Sequence, residues 1–115
     1  MKNMESRKKL LAQYKEREII GGVYVIKNTL NNKMLLDAAI DLKGSHSRFA
    51  FSQKTGSCLY LKLQKDWEKQ GGGEFVFEVL EELKKAETQT TEEFKADIDV
   101  LKEIWLGKLA GKDLY

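Results

Sequence analysis

The sequence predicts an α+β domain, a three-stranded antiparallel sheet covered by helices and preceded by one extra helix. Three observations predict it. Two short β-prone runs, residues 23–26 and 33–36, flank an asparagine-rich turn. A third, strongly apolar run follows at residues 75–80. Elsewhere the apolar residues recur at helical spacing. With 115 residues the chain has material for a single core, and its 42% hydrophobic and 33% charged residues suit a packed domain rather than a disordered one.

Along the chain, Leu10, Leu11 and Tyr14 recur at helical spacing among charges, which predicts an amphipathic helix over residues 4–18. Gly21 and Gly22 are expected to break it, dividing the chain into a helical segment 1–20 and a compact domain 21–112. Val23, Tyr24, Val25 and Ile26 are β-branched or aromatic and form the first strand. Asn28, Asn31 and Asn32 turn the chain, and Lys33, Met34, Leu35 and Leu36 return antiparallel, because a short turn permits nothing else. Asp41 can cap a helix over residues 41–51 by accepting from the unpaired amides of its first turn.

Ser57 is placed to cap the next helix, with Leu59, Leu63 and Trp67 on one face and Gly71, Gly72 and Gly73 ending it as a flexible connector. The apolar run from Phe75 to Leu80 reads as a central strand. Thr91, followed by Glu92 and Glu93, marks a helix start, since carboxylates favour the positive end of a helix dipole. Phe94, Ile98, Leu101, Trp105 and Leu109 then form its core stripe.

The net charge is +2, unevenly spread: +4 over residues 1–17, +3 over 18–73, −6 over 74–103 and +1 over 104–115. A basic front half suits a phosphate-bearing partner. Cys58 is the only cysteine, so no intrachain disulfide forms. No apolar run of signal-peptide or membrane-span length occurs, and a cytoplasmic, membrane-free protein is the expectation. One histidine and one cysteine are too few for a structural zinc site. The triple glycine lacks the Lys-Ser/Thr of a phosphate loop. Glu78 and Glu81 invite an acid/base reading, but a strand spacing of three puts them on opposite faces.

The stretch from Gly22 through Val23, Tyr24, Val25, Ile26, Lys27, Asn28, Thr29, Leu30, Asn31 and Asn32 to Lys33 resembles the opening of the GIY-YIG nuclease domains, especially those of phage intron-encoded homing endonucleases. The resemblance continues through Asp41-Leu42-Lys43, Lys62-Leu63-Gln64, Trp67 and Phe77-Glu78-Val79-Leu80-Glu81 to the helix containing Trp105. It implies the same three-stranded fold and, in the family, metal-dependent, tyrosine-assisted hydrolysis of DNA.

Position by position, the resemblance also implies losses. The first triad stands as Gly22-Val23-Tyr24, but the second falls on Leu35-Leu36-Asp37 and lacks its tyrosine and glycine. The family's arginine falls on Ser45, a histidine one turn later on Phe49, and the metal-binding glutamate on Lys102. Tyr24 can be the remnant phenol, although packing is the ordinary role of a strand tyrosine. Arg48, one turn from Ser45 and beside His46, is a candidate displaced arginine, and Asp99, one turn before Lys102, a remote candidate metal ligand.

The expectation is therefore a binding module without resident metal or cofactor. Lys27, Lys33, Lys43, Arg48, Lys62 and Lys65 would form a weak, non-specific DNA surface, with a protein partner as the other possibility. The alternative is a divergent DNA endonuclease using Mg²⁺ or Mn²⁺.

Overall fold

A computed structural model of the chain describes residues 18–115. The helix expected over residues 4–18 lies outside the described residues, apart from its last position. The sheet has three strands in the order β2-β1-β3, with β1 Ile20–Asn28, β2 Met34–Ala39 and β3 Phe75–Lys84, all antiparallel. Helix α1 spans Leu42–Thr55, a one-turn 3₁₀ helix Leu61–Leu63 leads into α2 Gln64–Gln70, and α3 spans Thr91–Lys108. No helix among the described residues is long and apolar enough to cross a membrane.

Alternation along β1 splits its side chains between two layers. Tyr24 and Ile26 pack with Leu42 and Phe49 of α1, Leu63, Trp67 of α2 and Phe75. Val23 and Val25 pack with Leu36, and Leu101, Trp105 and Leu109 close that side from α3 and its end. The two apolar stripes read from the sequence thus cover opposite faces of one strand.

The hairpin pairs as expected, from Gly22 opposite Ala39 to Lys27 opposite Met34. Its turn is held by Asn28, which is fully buried: its Oδ1 accepts from the Leu30 amide at 3.0 Å and its Nδ2 donates to the Tyr115 hydroxyl at 3.0 Å. Asn32 adopts the left-handed backbone that asparagine tolerates, with φ 62°. Asp41 caps α1, its Oδ1 accepting from the Gly44 amide at 3.1 Å. The helix outlasts residue 51 and stops at Gly56, whose left-handed φ of 75° lets its amide close onto the Ser52 carbonyl at 3.0 Å.

Several expectations are corrected. Gly21 and Gly22 lie inside β1 and do not precede it. A Cβ on Gly22 would sit 2.0 Å from the Glu81 carbonyl oxygen, so the glycine serves a close strand approach. Contacts of the described fold extend before Gly21 and past residue 112: the Lys85 amide donates to the Ile19 carbonyl at 2.8 Å, the Met34 amide to the Asp113 carbonyl at 3.1 Å and the Tyr115 amide to the Met34 carbonyl at 2.9 Å.

Ser57 caps nothing, because residues 56–60 are irregular and Leu59 is exposed, while Leu63 and Trp67 are buried from the later turn and helix. β3 is an edge strand, since β1 already lies between both others; Val76 and Val79 accordingly remain over 40% exposed. The last helix does start at Thr91, as expected, and is capped by the preceding Thr90 through a reciprocal box with Glu93.

A bulge adds a further correction. Val23 faces Glu81 while Tyr24 faces Val79, so Leu80 is the extra residue of β3. Glu78, opposite Val25, and Glu81, opposite Val23, therefore share the α3 face, and Glu81 accepts from the Trp105 indole at 2.9 Å.

The triple glycine is a packed turn, not a flexible connector. Gly71 ends α2 with φ 84°, and a Cβ on Gly72 would lie 2.3 Å from the Trp67 ring, whereas one on Gly73 would meet nothing within 4 Å. Gly72→Ala is expected to destabilise the domain by about 1–3 kcal/mol through overpacking against a buried indole. Gly73→Ala should be nearly neutral, and urea unfolding of the two variants side by side checks the contrast.

Candidate functional site

The hairpin register sets the site. Asp37 lies directly opposite Tyr24, on the sheet face covered by α1. The Tyr24 ring is 5% exposed and stacks on Phe77 with centroids 4.5 Å apart and planes at 23°. Its hydroxyl reaches the Asp37 Oδ2 at 3.5 Å, the outer limit of a hydrogen bond. From α3, Lys102 reaches the other carboxylate oxygen, with Nζ 3.4 Å from Asp37 Oδ1. Both charged side chains stay partly in solvent, at 36% exposure for Lys102 and 48% for Asp37.

Helix α1 contributes Ser45 and Arg48, spaced one turn apart so that both can act on the phenol. Burial raises the Tyr24 hydroxyl to about 12, helped by the negative charge of Asp37 and by Tyr60 and opposed by Ser45 and Arg48. Tyr60 is the second phenol of the cluster. It too is raised, first by burial and then by Cys58 and Asp37, with Arg48 acting against them. The Cys58 thiol donates to the Tyr60 carbonyl at 3.2 Å and ties this segment down. Both phenols are neutral at ordinary pH and can donate a hydrogen bond to an anion. Neither is a ready base.

The other residues singled out from the sequence fall in different places. Phe49 is buried in the core, edge-on to Trp67 at 6.3 Å, and Leu35 packs against the same cluster. His46 is exposed and meets Phe77 edge-on at 5.2 Å. Asp99 is exposed on α3. Among the described residues, no three His, Cys, Asp or Glu side chains gather to hold a metal ion.

The six basic residues do not form one array. Lys43, Arg48, Lys62 and Lys65 are exposed on the helical elements of the Tyr24 side. Lys27 alternates to the α3 side of the sheet, and the Lys33 ammonium lies over the Tyr115 ring, 5.1 Å from its centroid. Sequence reasoning missed Tyr60, which carries no periodic signal in its irregular segment. It named Asp37 and Lys102 without pairing them, although their opposite charges were the available clue.

A hairpin whose first strand is central, carrying a tyrosine beneath the next helix and an antiparallel third strand on its other edge, defines an endonuclease-like α+β domain. Solved structures agree with that class. A mutant of the catalytic domain of intron endonuclease I-TevI is 30% identical with a TM-score of 0.60, the match covering 84% of this chain and 91% of that one. The catalytic domain of homing endonuclease I-TevI is 29% identical with a TM-score of 0.57, over 83% of this chain and 95% of that one. No protein-family model matches the sequence, and comparison with curated proteins finds no match. The chain belongs to the GIY-YIG family, which includes the homing endonuclease I-TevI.

The raised Tyr24 hydroxyl has a measurable consequence. In the unfolded chain a tyrosine ionises near 10, in the fold near 12. The stability gained from keeping it neutral is complete below pH 10 and is lost as pH rises through that interval. Tyr24→Phe is expected to flatten the decline of unfolding free energy between those two values. Urea titrations of both proteins across this alkaline window measure the difference, and identical slopes would refute the assignment.

Proposed function

We propose that this chain is a DNA-binding domain that keeps the nuclease fold without its hydrolytic chemistry. The observation that carries this reading is the Asp37–Lys102 ion pair at 3.4 Å beside the buried Tyr24 hydroxyl. By the resemblance, Lys102 stands where the family has its metal-binding glutamate and Ser45 where it has its arginine. An ammonium repels a divalent cation, and a serine cannot clamp the charge that develops on a phosphoryl group. Phosphodiester hydrolysis needs such a clamp together with an activated water. Losing one such stabiliser typically costs about 2.7–4 kcal/mol of barrier. With Tyr24 raised to about 12, the phenol is a poor base at neutral pH.

Binding needs less than catalysis. Arg48, Lys43, Lys62 and Lys65 supply cations on the Tyr24 side of the sheet, and the neutral phenols supply donors. A polyanion held mainly through its backbone is bound without regard to sequence.

A second reading has its own support. Arg48 acts electrostatically on both Tyr24 and Tyr60, so a displaced arginine and a second phenol stand close to the vacated positions. A divergent endonuclease dependent on Mg²⁺ or Mn²⁺ would use them.

Two measurements decide between these readings. Fluorescence anisotropy with labelled duplexes is expected to show weak, sequence-independent binding that falls steeply with salt, as counterion release requires. Supercoiled plasmid with either metal is expected to remain uncut. Nicking lost in both Arg48→Ala and Tyr60→Phe would establish the second reading instead. Absence of duplex binding at low salt would leave a protein as the partner.

A further inference from the structure

Among the described residues, Asp37 is the one carboxylate that acts on the Tyr24 and Tyr60 phenols, and one oxygen of it is taken by the Lys102 ammonium. Lys102 reaches it from α3, the helix on the opposite face of the sheet, across the edge strand β2. The Arg48 guanidinium bears on the same phenols from α1. Two cations and one carboxylate leave a single positive charge, facing two hydroxyls that stay protonated at neutral pH. One phosphodiester matches that set: it brings one negative charge and oxygens that accept from both the cations and the phenols.

The ion pair itself is loosely held. Its partners are 36% and 48% exposed, and pairs so open to solvent contribute little to stability. Lys102 can therefore leave Asp37 for a phosphate at little cost. A metal placed at Asp37 would have to displace the ammonium and would find too few other ligands among the described residues.

We propose that Lys102, parked on Asp37, is the built-in cation of this site, and that it and Arg48 hold one internal phosphodiester of a nucleic acid without any divalent metal. This rests on the DNA-binding reading and adds to it the residue, the atom and the absence of a metal requirement.

The test uses the full chain, a labelled duplex in EDTA and free Mn²⁺. Wild type is expected to bind in EDTA, equally well whether or not the duplex carries terminal phosphates. Lys102→Gln should lower the slope of log affinity against log salt by about one, the signature of a lost phosphate contact. Lys102→Arg should restore it, and Lys95→Gln, exposed on the same helix, serves as control and should retain more of the slope. Lys102→Glu places a second carboxylate beside Asp37 and should take up Mn²⁺, read by water-proton relaxation, where wild type does not.

An unchanged slope in Lys102→Gln, with wild type still binding, would overturn this inference and leave the DNA-binding reading standing. The inference falls in the same way if wild type takes up Mn²⁺ in a manner abolished by Asp37→Asn, if Lys102→Glu takes up none, or if binding requires terminal phosphates. Failure of wild type to bind any duplex would overturn both.

Discussion

The structure depends on one strand being buried from every side. β1 donates and accepts along both edges, toward β2 and β3, and residues 21–26 are buried on both faces. Burying a valine or isoleucine contributes about 1.5–3 kcal/mol, and Val23, Val25 and Ile26 are each fully enclosed. Every other element is positioned by what it adds to this strand. α1 and α2 cover Tyr24 and Ile26, while α3 covers Val23 and Val25. The glycines near its start follow from the same constraint, since only residues without Cβ admit the Ala39 carbonyl beside Gly21 and the Glu81 carbonyl beside Gly22 so close.

The site inherits its geometry from that strand. Because side chains alternate, a one-residue slip of β1 would carry Tyr24 to the α3 face and part it from Arg48. Two devices oppose the slip. The buried Asn28 fixes the hairpin end through its bonds to Leu30 and Tyr115. The bulge at Leu80 pins β3 against β1 between Val23 and Tyr24, the extra residue bringing Glu81 to the face where it meets Trp105.

The sequence disclosed what is settled locally. The hairpin follows from the residues around Asn28, the α1 cap from Asp41, and the α3 stripe from five apolar residues at helical spacing. It misled where the answer lies across the fold. An apolar run reads alike on a central or an edge strand, so β3 looked central. Counting by three ignored an extra residue, so Glu78 and Glu81 were put on opposite faces. Ser57 resembled a cap, but the chain needs residues 56–60 in irregular form between the left-handed Gly56 and the turn at Leu61. For the site, Tyr24, Asp37, Arg48 and Lys102 were each readable as candidates. Their convergence was not, because it joins two strands and two helices. Tyr60 carried no signal at all.

Core and site also rest on different physics here. Phe49, on the same helix as Ser45 and Arg48, is 3% exposed and packs on Trp67 and Phe77. That turn of α1 therefore contributes packing, where a polar group would have to be solvated or paired. Asp37 and Lys102, by contrast, form a half-exposed pair to which the fold owes little. Substitutions at these two positions leave the enclosure of β1 untouched, whereas opening Phe49 to a polar residue would unseat α1 from Tyr24. The half-exposed positions are thus free to change, while the positions against β1 are held by packing whatever the site does.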